Sequence, residues 1–124
     1  MSTSAARNSL LERIMDAPAP ERSLFVEAWL ACAGNQSPDL KAHFAMLLET
    51  KAWTDAALVT VACALPRWHV VTSGRPMKAG KARLLQPKDE EGIALRPYGE
   101  EISHPGGVSL AILGALVAAA AGIG

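Results

Sequence analysis

The stretch Gly107-Val-Ser-Leu-Ala-Ile-Leu-Gly-Ala-Leu-Val-Ala-Ala-Ala-Ala-Gly-Ile-Gly124 decides how this chain is read. It carries no charge over 18 residues, which touches the lower length limit of a bilayer-spanning helix, roughly 17 residues. One reading is a tail-anchored membrane protein. The other is a helix that is apolar all round because it is covered on several sides. Alanine and glycine dominate the stretch and drive insertion weakly beside leucine. No Lys, Arg, Trp or Tyr flanks its far end as an interfacial anchor. The buried helix is therefore favoured over the span.

Working back from that stretch, the apolar period changes. Trp68-His-Val-Val-Thr72 is short and β-branched, and Ala82-Arg-Leu-Leu85 and Ile93-Ala-Leu-Arg96 are two more short runs between Gly and Pro punctuation. The links, Ser73 to Lys81 and Gln86 to Gly92, are too short for helical crossovers, so a three-stranded antiparallel sheet is predicted. Such a sheet must be covered on at least one face.

The first half reads as four helices. Ser9-Leu-Leu-Glu12 looks like a capping box, followed by Leu10, Leu11, Ile14 and Met15 on one face. Pro18 and Pro20 end that helix. The second runs from Glu21 to Ala33, with Leu24, Phe25, Ala28, Trp29 and Cys32 along one side and Gly34-Asn35 as its C-cap. Ser37-Pro38-Asp39 opens a third, with Leu40, Phe44, Leu47 and Leu48 at helical spacing. Thr54 is the expected N-cap of a fourth, with Trp53 and Leu58 as a hydrophobic staple and Leu58, Val61, Ala62 and Leu65 as its buried stripe. The expectation is one α+β domain over residues 1–124. It has a helical part (1–66), a sheet (67–97) and a closing Ala-rich helix (107–124), packed as an α–β–α sandwich.

Half the residues are apolar and the formal net charge is zero. That balance excludes disorder and gives no whole-molecule attraction to nucleic acid or an anionic membrane. Cys32 and Cys63 fall inside predicted helices and read as small core residues. The opening residues carry no apolar signal segment, so a cytoplasmic protein is expected.

Candidate chemistry is sparse. His43, His69 and His104 lack metal-ligand spacing with one another or with the cysteines, where zinc pairs want roughly two to five residues. His69 is expected to be partly buried and hydrogen-bonded in the first strand. Neither a nucleophile elbow nor a phosphate loop occurs, and Gly74 to Gly80 does not form one. Asp89-Glu90-Glu91 and Glu100-Glu101 read as solvated carboxylates in polar turns. No catalytic residue, metal site or cofactor is expected.

Charge segregation stands out instead. Residues 1–66 hold five basic and seven acidic side chains, and residues 89–124 hold one basic and five acidic. Residues 67–88 hold six basic ones and no acid. Of these, Arg75, Lys78, Lys81, Arg83 and Lys88 are the candidate partner-binding residues, on a basic loop that would meet nucleic acid or an acidic protein surface. The alternative is that the acidic turns neutralise them, or that lysines guard a sheet edge against aggregation. No stacking aromatics accompany the basic run.

Three segments resemble the phage ABA-sandwich domain family, small proteins of phages and prophages. Ser9 to Cys32, with its Asp16-Ala-Pro-Ala-Pro20 break, is similar to that family's opening helices. Trp53-Thr-Asp-Ala-Ala-Leu58, running on to Leu65-Pro-Arg-Trp68, is similar to its helix leading into a tryptophan-bearing strand. His104-Pro-Gly-Gly, then Leu110 to Leu116, is similar to its closing helix. The resemblance implies an α–β–α layered fold and a phage or prophage origin, and it brings no catalytic residues. The expected function is a non-enzymatic accessory protein that binds a host protein or protein–nucleic acid complex, in one form an anti-CRISPR-like inhibitor of host defence. A nucleic-acid-binding module using residues 75–88 and a tail-anchored membrane protein are the alternatives.

Overall fold

The computed structural model describes residues 4–74, 79–88 and 94–123. Helix α1 (Ser4–Asp16) is followed by α2 (Arg22–Ala28), which runs directly into a π-helical turn (Trp29–Ala33). Then come α3 (Pro38–Glu49), α4 (Trp53–Ala64), β1 (His69–Gly74), β2 (Gly80–Pro87), β3 (Leu95–His104) and α5 (Val108–Ile123). The strands form an antiparallel sheet in the order β1-β2-β3, and helices pack on it. The chain is an α+β fold.

The closing stretch is the centre of the molecule. Every residue from Ser109 to Val117 is buried. Helix α5 packs against all three strands and also against α1 and α4, whereas the other helices barely touch the sheet. The layers therefore run sheet, α5, N-terminal helices. A helix without a polar face has no side to give to water, so the middle position is the one that suits it. No described helix is long and apolar enough to cross a membrane.

Local signals explain most element ends, with exceptions. The Ser37 Oγ accepts from the Leu40 N–H at 3.3 Å, and Pro38 occupies the first turn of α3, as expected. Gly34 ends the π-helical turn at φ +65°. The capping box at Ser9 does not form, because α1 already begins at Ser4 and Ser9 lies inside it. Nor does Thr54 cap α4. That helix starts at Trp53, with Ala52 at the N-cap position and no side-chain cap. Trp53 packs on Phe25, ring centroids 5.1 Å apart, while Leu58 stays 39% exposed. Helix α4 buries its small side, Ala56, Ala57, Thr60 and Val61, because close approach to α5 favours small residues there.

The third strand is longer than its apolar run suggests. It extends through Glu100 and Glu101, which are exposed strand residues and not turn residues. A bulge accommodates them: Ala82 pairs with Ile102 but Leu84 pairs with Tyr98, so β3 carries surplus residues opposite Arg83, with Gly99 at φ +68°. The histidines also exchange roles. His69 is exposed, and His104 is fully buried. The Gly106 N–H donates to His104 Nδ1 at 2.8 Å, so the hydrogen sits on Nε2 and donates to the Ile14 carbonyl at 2.7 Å. One imidazole thus joins the end of β3, the turn into α5 and the last part of α1.

Where β2 begins, it touches the start of α5. A Cβ added at Gly80 would lie 2.3 Å from the Val108 nitrogen and 2.5 Å from its Cα. Backbone cannot yield as a side chain can. Gly80→Ala is expected to cost more than about 2 kcal/mol in urea unfolding, since the strand and helix must separate. Leu113→Arg is expected to abolish cooperative unfolding altogether, because Leu113 is fully buried and a charge there has no partner.

Candidate macromolecule-binding face

Strand residues alternate between faces, and the pairing register carries that alternation across the sheet. In β2, Gly80, Ala82 and Leu84 are buried toward α5. Lys81, Arg83 and Leu85 occupy the opposite face. Their neighbours on β1 are Ser73, Val71 and His69, and on β3 Ser103 opposes Lys81 and Pro97 opposes Leu85. Among the described residues no layer covers this outer face: Lys81, His69, Ser73, Pro97 and Ser103 are exposed, Arg83 and Leu85 are half-buried, and Val71 is 52% exposed.

Of the five predicted partner-binding residues, Lys81 and Arg83 stand together on that face. Arg75 and Lys78 lie outside the described residues, as do Asp89, Glu90 and Glu91. Lys88 is exposed just beyond β2, its N–H donating to the Ala94 carbonyl at 2.8 Å. Seven residues of extended chain put it roughly 23 Å from Lys81. Lys81 and Arg83 thus lie in the central strand and not in a loop: residues 80–85 pair with β1, and every residue of β2 except Arg83 pairs with β3.

Arg83 does more than carry charge. Its Nη2 donates to the Gly99 carbonyl at 3.1 Å, bridging the bulge, while its Nε is buried with no hydrogen-bond partner. Neither Lys81, Arg83 nor Lys88 forms an ion pair among the described residues, with Glu100 and Glu101 included. The ion pair that does form, Arg13 with Glu27 through two 2.8 Å hydrogen bonds, clamps α1 to α2. Val71, His69 and Ser73 were missed in the sequence because the charges were grouped by position along the chain. Period-two alternation at Lys81 and Arg83 was the available signal, but pairing partners cannot be read from it.

No group of three His, Cys, Asp or Glu is placed to hold a metal ion among the described residues. Both cysteines are half-buried and free. Burial pushes the Cys32 thiol up, opposed by the nearby Arg7 guanidinium, and burial likewise raises Cys63. Arg7 is itself engaged, donating to the Ala120 carbonyl at 3.1 Å and the Ala31 carbonyl at 3.4 Å.

Comparison with protein-family models, with curated proteins and with solved structures finds no match to this chain. The resemblance to phage ABA-sandwich proteins therefore rests on its three sequence segments alone.

The raised thiols give a pH dependence with a definite sign. Each cysteine remains protonated in the folded chain at pH values where it would ionise in the unfolded one. Stability should therefore be fully present below the ordinary thiol pKa and fall as pH rises through the raised values. Iodoacetamide labelling of folded protein, followed by mass spectrometry, should show both cysteines reacting more slowly than in urea, with half-maximal rates at higher pH.

Proposed function

We propose that this chain is a non-enzymatic phage or prophage accessory protein that works by binding another macromolecule through the outer face of its sheet. One observation carries the reading. The face that no layer covers holds two cations without acidic partners among the described residues, beside an exposed valine. Solvated cations around an apolar patch suit an acidic protein surface, where the apolar centre supplies affinity and the charges supply steering. The segments resembling phage proteins support the origin. An inhibitor of a host defence system, occluding a host protein or protein–nucleic acid complex, is the concrete form taken by analogy.

A nucleic-acid partner would use the same cations but wants aromatic platforms for stacking. Trp68 and Tyr98 pack edge-to-face on each other at 5.1 Å. Neither stands among the outer-face residues around Lys81, so the protein partner is preferred.

The test is capture from host lysate by wild type and by the double variant Val71→Glu, Lys81→Glu. Both positions are exposed, so melting should change little, by about 0.5 kcal/mol or less. The expected result is a discrete captured protein that the double variant loses. Equal capture by the folded variant would overturn the assignment of this face. Capture of nucleic acid alone, weakening steeply with salt, would replace the protein partner with a phosphate backbone.

A further inference from the structure

A sheet in the order β1-β2-β3 has two edges, and only the β3 edge is guarded. Along β3, Pro97 has no N–H to offer and the bulge at Gly99 interrupts the strand. The exposed Glu100 and Glu101 would also set like charges against a second copy. Proline, bulges and charged side chains are the features that keep an edge strand from pairing with another chain. β1 has none of them. Its stretch His69-Val-Val-Thr-Ser-Gly74 contains no proline and no Lys, Arg, Asp or Glu, and it pairs with β2 in unbroken register. Val70, Val71 and Thr72, all β-branched, stand in its middle.

The outer side of β1 is open among the described residues. No backbone hydrogen bond runs from it to any described element except β2. All its residues are exposed except Val70, which is half-buried. Helix α5 packs mainly over β2 and β3 and leaves Thr72 exposed on its own side of the sheet. In an antiparallel ladder alternate residues turn both N–H and C=O away from the existing neighbour. Half of β1 therefore holds out donors and acceptors at the spacing of one more strand.

We propose that β1 pairs antiparallel with β1 of a second copy of this chain, about a two-fold axis normal to the sheet, so that two sheets become one. Charge selects a second copy as the occupant. His69 is the only titratable side chain of the strand, and antiparallel pairing sets it toward the far end of its counterpart, away from the second copy's His69. Val71 lies near the centre, where it meets the second copy's Val71 on a continuous outer face. The formal net charge is zero, so no whole-molecule repulsion opposes self-association. The two strands that carry Lys81 stay roughly 14 Å apart, beyond the screening length of ~8 Å at physiological salt. Pairing along so short an edge buries less than the roughly 1,200 Å² of a standard interface, which makes the dimer weak and concentration-dependent. This pairing uses the edge of the sheet and holds whether or not the outer face binds a host protein.

The experiment is sedimentation velocity of the full chain from about 10 μM to about 1 mM, with a dimer Kd expected on the order of 100 μM. Thr72→Lys and Thr72→Glu each set like charges across the two-fold axis and should weaken the dimer about fivefold. Thr72 is exposed, and an equimolar mixture of the two variants should restore a dimer at least as tight as wild type, which also shows that both fold. Lys81→Glu, on the central strand, should leave the dimer unchanged. A monomer throughout the range would overturn the proposal and leave the edge to a strand of another protein. So would a dimer that both Thr72 variants retain, or one that their mixture fails to restore. A dimer lost in Lys81→Glu but kept in the Thr72 variants would move the contact to the outer face and overturn it equally.

Discussion

The whole structure depends on one constraint: a helix with no polar side must be surrounded. From Ser109 to Val117 every residue of α5 is buried, and the sheet, α1 and α4 all pack against that helix. The sheet takes one side, and α1 and α4 take the other. Small residues make this possible. Gly114 lets Met15 and Ile102 close to 3.2 and 3.4 Å of where its Cβ would be, from α1 on one flank and β3 on the other. The same substitution of small for large side chains occurs on α4, whose buried face is mostly alanine. At these points packing density is maintained by close approach of backbones, while Leu110, Ile112, Leu113 and Leu116 fill the space elsewhere along α5.

Both ends of α5 are tied by polar groups that would otherwise be orphaned. At its start, His104 accepts from the Gly106 N–H and donates to the Ile14 carbonyl, so the sheet, the turn and α1 share one buried ring. At its end, the Arg7 guanidinium donates to the Ala120 carbonyl and reaches the Ala31 carbonyl at the end of the π-helical turn. A cation at two helix C-termini satisfies carbonyls that lack intrahelical donors and complements both partial negative charges. Arg7 is therefore a structural cation, unlike Lys81 on the outer face.

Placing α5 in the middle has a consequence for function. The N-terminal helices are stacked on α5 and are not available to cover the far side of the sheet. That side keeps its strand alternation, with Lys81, Arg83 and Val71 on one exposed surface. Charge segregation along the chain becomes a face only because β2 is the central strand, flanked on both sides.

Taken by itself, the sequence determined the class of the fold and most of its elements. Three short strand-like runs, joined by links too short for helical crossovers, pointed to an antiparallel sheet. An apolar stretch rich in alanine without interfacial anchors was better buried than spanning. Ser37-Pro38 and Gly34 are local signals, and local backbone chemistry decides them. Tertiary structure alone decided the rest. It put Thr54 inside a helix and exposed Leu58, because burial on α4 follows the neighbour it meets and not the size of its side chains. It buried His104 and exposed His69, since a histidine's environment depends on what closes over it from distant parts of the chain. It lengthened β3 through Glu100 and Glu101, because a bulge is a property of two strands and neither strand carries it alone. Which layer lies in the middle, and hence which face is left for a partner, depends on contacts about a hundred residues apart, such as Arg7 with Ala120. No local pattern encodes them.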